Sequence, residues 1–131
     1  MRLLIAILSA AILAVTGCSR APTLAAQIQS AGGEAALKRE CQTIFDEHQK
    51  TQKEIWMAKD SALPPTIAAL QPQVVQARRQ GGLPIVDIQV SGGFDHHGLM
   101  VVLTDTPPDF VPSKSSWRVA KISDGVFEYH E

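Results

Sequence analysis

The stretch Leu83-Pro84-Ile85-Val86-Asp87-Ile88-Gln89-Val90-Ser91 decides the fold. Val86, Ile88 and Val90 fall on one side of an extended chain, with Asp87 and Gln89 on the other. That period of two is the mark of a strand with one buried face. Upstream, residues 74–80 read as a modest strand, and Gly81-Gly82 supplies the turn between the two. Downstream, residues 99–104 (Leu-Met-Val-Val-Leu-Thr) are apolar on both faces, which predicts a central place in the sheet. Residues 117–122 and 126–129 close the chain as a hairpin across Ser123-Asp124-Gly125, where Asp-Gly is a strong turn dipeptide.

Before the strands the period changes. Across residues 34–59, Leu37, Cys41, Ile44, Phe45, His48, Ile55 and Trp56 recur at steps of three and four between polar residues, which predicts one long amphipathic helix. The stripe weakens at Thr51-Gln52. Cys41 on this face reads as a small buried hydrophobe, His48 as a core or rim histidine, and Trp56 as a packing anchor. Thr23 is placed to cap a short helix over residues 24–30, and Gly32-Gly33 breaks the chain after it. Pro64-Pro65 stops any continued helix and begins a single turn over residues 66–70. Helices first, then strands joined by short turns, predict an α+β domain. Its long N-terminal helix packs on one face of an antiparallel meander of four or five strands.

The first residues read differently. Met1-Arg2 is a short positive start, and residues 3–15 form an apolar run broken only by Ser9. As a helix, 13 residues reach about 20 Å, short of a bilayer core roughly 30 Å thick. A charged start, an apolar run and small residues before a cleavage point make a secretory signal. Val15-Thr16-Gly17-Cys18 resembles the lipobox of bacterial lipoproteins, with Val15 in place of the commoner Leu. The resemblance covers residues 1–18 only. It implies that the Cys18 thiol takes a diacylglyceryl group, that cleavage precedes Cys18, and that the new amine is acylated. Several acyl chains make attachment lasting, since each buried CH₂ contributes about 0.8 kcal/mol. In a Gram-negative host, Ser19 in place of Asp implies export to the outer membrane. The expected organisation is a signal peptide over 1–17, a lipidated tether over 18–22 and one small domain over 23–131.

Losing Arg2 with the signal takes the formal charge from −1 to −2, and no basic stripe invites a nucleic acid. With Cys18 lipidated, Cys41 stands alone and no internal disulfide can form. No catalytic signature surrounds any serine, no phosphate-cradling loop occurs, and no cofactor is expected.

The most distinctive segment is Gly92-Gly93-Phe94-Asp95-His96-His97-Gly98. Asp95, His96 and His97 are candidate metal ligands, or Asp95 and His97 an acid–base pair, because alternate residues of an extended chain point the same way. A zinc site needs three or four ligands at recognisable spacings, and no HExxH or CxxC occurs here. A glycine-rich turn with surface histidines is the preferred reading. Residues 106–116, with Pro107, Pro108 and Pro112, read as a long exposed loop carrying Phe110 and Val111. These two either form a contact patch or tuck the loop onto the sheet.

The expected function is a non-enzymatic binding or structural module of the cell envelope. It is held to the membrane by its lipid, with an envelope protein as partner. The alternatives are a metal-binding or hydrolytic protein using Asp95, His96 and His97, and an inhibitor or immunity-type lipoprotein.

Overall fold

A computed structural model describes residues 22–91, 96–114 and 116–131. Cys18 and Asp95 lie outside these residues. Three helices precede and interrupt the strands: α1 Leu24–Ser30, α2 Glu34–Thr51 and α3 Pro65–Ala69. The six strands are β1 Ile55–Met57, β2 Val74–Gln80, β3 Leu83–Ser91, β4 His97–Val102, β5 Arg118–Ser123 and β6 Val126–His130. They form one open antiparallel sheet in the order β1-β2-β3-β4-β6-β5. The α+β class agrees with the sequence reading.

The long helix is shorter than its pattern implied. It ends at Thr51, and Gln52 caps it in the left-handed region (φ 61°), its N–H donating to the His48 carbonyl at 2.8 Å. The chain then extends, and Ile55-Trp56-Met57 alternates exposed, buried, exposed as an edge strand. Trp56 is the buried anchor expected, on a strand rather than a helix. Ile55 and Trp56, seven and eight positions after His48, fit two further helical turns, whereas Ile55 and Met57 on either side of buried Trp56 fit a period of two. The lapse at Thr51-Gln52 marks where the period changes.

Leu37, Cys41, Ile44 and Phe45 of α2 pack against Val75, Val86, Ile88, Leu99 and Val101 of the sheet. His48 sits half-buried at the rim, against Phe45. The short α3 is fastened by Glu40 of α2, whose two carboxylate oxygens accept from Thr66 N (3.0 Å) and Ile67 N (2.9 Å). An α-helix leaves its first N–H groups without internal partners, and here a carboxylate meets two of them.

The sheet is not a simple meander. β1 through β4 follow in order, but β6, not β5, lies beside β4. Strands β4 and β5, each antiparallel to β6, therefore run parallel to one another. Parallel strands cannot be joined by a tight hairpin, so the chain must return along the sheet to the end where it began. Residues 103–114 and 116–117 lie on that return, over the face turned away from the helices. Phe110 and Trp117 pack there on a second core of Ile85, Met100, Val102, Phe127 and Tyr129. The expectation of one packed face is thus corrected: β3 and β4 are covered on both sides.

Burial holds the Cys41 thiol above its ordinary acidity range, with Glu40 adding to the effect. A maleimide reagent at neutral pH should therefore leave Cys41 untouched in the native protein. Labelling should rise only along the urea unfolding curve; rapid labelling without denaturant would contradict this packing.

Candidate functional site

The second face carries a polar cluster inside an apolar core. Register sets Ile55, Gln76, Asp87, Met100 and Phe127 in one cross-strand row, and Met57, Val74, Gln89, Gly98 and Tyr129 in the next. Gly98, lacking a side chain, gives its space to the Tyr129 side chain. A Cβ there would collide with the Ile88 carbonyl oxygen and with Tyr129 Oη. Tyr129 leans over Gly98 and donates its hydroxyl proton to Asp87 Oδ1 at 2.7 Å. From the returning segment, Lys114 Nζ donates to Asp87 Oδ2 at 2.6 Å and to Tyr129 Oη at 3.1 Å. The same ammonium lies 4.2 Å from the Tyr129 ring centroid and 4.9 Å from that of Trp117. Asp87 is 3% exposed, so its charge is met by Lys114 and the Tyr129 hydroxyl rather than by water.

A second set of bonds fastens the same segment. Arg78 donates to the Ser113 carbonyl (3.2 Å) and to Met100 Sδ (3.1 Å), and Gln80 Oε1 accepts from Ser113 N (3.0 Å) and from Arg78 (3.2 Å). Burial, then the Asp87 charge and its hydrogen bond, raise the pKa of Tyr129 far above the ordinary phenol range, with Arg78 opposing. The hydroxyl is a fixed proton donor, unsuited to act as a base or nucleophile near neutral pH.

Where the returning segment leaves β4, it walls a groove of about 740 Å³ against the start of α2 and the β5–β6 turn. Lys38, Arg39 and Lys121 bring positive charge to it, and Asp105 and Asp124 negative charge. Lys38 Nζ donates to the Asp124 carbonyl at 2.6 Å and lies 3.3 Å from Glu34 Oε1. Lys121 Nζ stands 2.9 Å from Asp124 Oδ1. The Lys121 hydrogen bond and charge, with Lys38 adding, hold the exposed Asp124 carboxyl below its usual range.

Of the residues singled out from sequence, His96 and His97 take different neighbours, and Asp95 lies outside the described residues. His96 Nδ1 lies 2.9 Å from Glu131 Oε2, with its ring 5.4 Å from Trp117. His97 stacks on its cross-strand partner His130 at 5.6 Å and 9°, and His130 Nε2 stands 3.1 Å from Glu128 Oε1. Among the described residues, no three His, Cys, Asp or Glu side chains are arranged to hold a metal ion. Of the loop pair, Phe110 tucks onto the second core while Val111 is 55% exposed. Sequence reasoning passed over Asp87, Lys114 and Tyr129. The available signal was a carboxylate in the middle of a strand otherwise rich in isoleucine and valine, together with the chain's single tyrosine.

The raised Tyr129 sets an alkaline limit. A group whose folded-state pKa lies above its unfolded value of 10.0 stabilises fully below that value and progressively less above it. Unfolding free energy should fall above pH 10, by about 1.4 kcal/mol per pH unit from this group. Cys41 adds a like decline that begins nearer its ordinary value of 9.0. In urea titrations across pH 8–11, Tyr129→Phe should remove only the steeper upper part; an unchanged profile would contradict the assignment.

No protein-family model matches the chain, no curated protein is significantly similar to it, and no solved structure matches its fold.

Proposed function

We propose that the protein is a lipid-anchored envelope lipoprotein serving as a non-enzymatic binding module, with its open sheet edge as the contact surface. The observation that carries this reading is β1. Ala77 N donates to the Glu54 carbonyl (2.9 Å) and Ala58 N to the Gln73 carbonyl (3.1 Å), so alternate residues of β1 turn toward β2. The N–H and C=O of Ile55 and the N–H of Met57 then face the open edge, while the Met57 carbonyl accepts from Asp60 N at 3.0 Å. Their side chains, 49% and 40% exposed, stand beside half-buried Val74 on the face that the returning segment leaves bare. An open edge with exposed apolar side chains is where an added strand gains both main-chain bonds and apolar burial.

Attachment rests on the lipobox resemblance at Cys18. The tether from Cys18 to Pro22 is short, so the domain works at the membrane surface, on the periplasmic side of the outer membrane in a Gram-negative host. The partner is an envelope protein within reach of that surface.

A photo-activated crosslinking residue placed at Ile55 or Met57 in growing cells should give one discrete protein adduct, absent when the same residue replaces exposed Gln49 of α2. Equal labelling from Gln49, or none from β1, would overturn the contact surface. Cys18→Ser should move the protein out of the membrane fraction; retention there would overturn the anchor.

A further inference from the structure

The groove between α2, the start of the returning segment and the β5–β6 turn is separate from the β1 edge. Its volume, about 740 Å³, falls in the range of roughly 300–1,000 Å³ usual for small-molecule sites. The charges that line it are not equivalent. Lys38 is held by Glu34 and the Asp124 carbonyl, and Lys121 by the Asp124 carboxylate. Arg39, from α2, and Asp105, from the opposite wall, have no ion pair among the described residues, with each other or with any other group. Both are exposed. One groove thus presents an unpaired guanidinium on one wall and an unpaired carboxylate on the other.

We infer that the groove binds a short peptide with free ends, its carboxylate on Arg39 and its ammonium on Asp105. A ligand carrying both charges satisfies both walls, whereas an anion alone leaves Asp105 facing it. Guanidinium suits a carboxylate because two parallel N–H groups meet its two oxygens. Gln42, one turn along α2 from Arg39, and Thr104 and Thr106, flanking Asp105, offer amide and hydroxyl partners for peptide bonds, and Leu103 and Pro108 offer apolar surface for small side chains. Lys38 and Lys121 are matched by Glu34 and Asp124, so Arg39 and Asp105 are the charges of the lining left without an ion pair among the described residues. A zwitterionic lipid headgroup shares the charge pattern but lacks the peptide groups that this lining meets.

The test is calorimetric titration of the full-length protein in detergent with trialanine. Saturable binding with a dissociation constant of about 1 mM or tighter is expected. Amidating the peptide's carboxylate should weaken binding by about tenfold, and acetylating its amine should do likewise. The amide penalty should vanish in Arg39→Ala and the acetyl penalty in Asp105→Asn, with unfolding midpoints unchanged because both side chains are exposed. No saturable binding, or equal binding of capped and free peptides, would overturn the proposal. So would inorganic phosphate displacing trialanine at equal concentration, which marks a simple anion site. Binding confined to phosphatidylethanolamine vesicles would assign the groove to the membrane surface instead. Because the β1 edge is a different surface, either outcome leaves the crosslinking result independent.

Discussion

The ionic hydrogen bond between Lys114 and Asp87 is the contact on which the rest of the second layer depends. The parallel relation of β4 and β5 obliges the chain to travel back along the sheet, and after Leu103, whose N–H donates to the Pro84 carbonyl at 3.1 Å, no ladder hydrogen bond holds it among the described residues. The returning segment is instead secured by Phe110 and Trp117 against the sheet, by Ser113 between Arg78 and Gln80, and by Lys114 on Asp87. A buried ion pair carries a large desolvation cost, so it adds little stability compared with an apolar pair of the same shape. Removing one member is another matter, because the partner is then left charged and unpaired under the segment. The clasp therefore fixes where the segment lies more than it deepens the fold.

Two surfaces follow from that placement. On one side, the segment covers β3, β4 and β6, reaches only the Arg78–Gln80 end of β2 and stops short of β1, leaving Ile55 and Met57 exposed beside Val74. On the other side, its first residues stand off from α2 and wall the groove that Arg39 and Asp105 face. The helix layer shapes neither surface alone. Glu40 ties α3 to α2, and Lys38 ties α2 to the β5–β6 turn, so the helical side is rigid where it meets the groove.

Much of the architecture was legible in the sequence. The alternation in residues 83–91, the apolar strand that follows, the Asp124-Gly125 hairpin and the stripe from Leu37 to Phe45 each carry a period or turn that local physics enforces. Strand β1 was hidden, because Ile55 and Trp56 fit a helical step and the helix end is set by one left-handed residue, Gln52. The buried Asp87 was hidden for a different reason. A polar residue alternating with apolar ones reads as a solvent-facing position, and only the crossover, a long-range consequence of strand order, places Lys114 and Tyr129 over it. The groove depends on the same crossover, so Arg39 and Asp105, 66 positions apart in the numbering, carried no local sign of meeting. The glycine-rich segment looked most distinctive in sequence, yet His96 and His97 take separate partners, Glu131 and His130.

The coupling between Asp87 and Lys114 measures the clasp most directly. Urea unfolding of Asp87→Asn, Lys114→Met and the double variant measures it. Each single change should cost on the order of 3 kcal/mol, because it leaves a buried polar partner uncompensated. The double variant should lose less than the sum, by roughly 2 kcal/mol, since neither charge then remains. Losses that add to within about 0.5 kcal/mol would contradict the clasp as the element that holds the returning segment on the sheet.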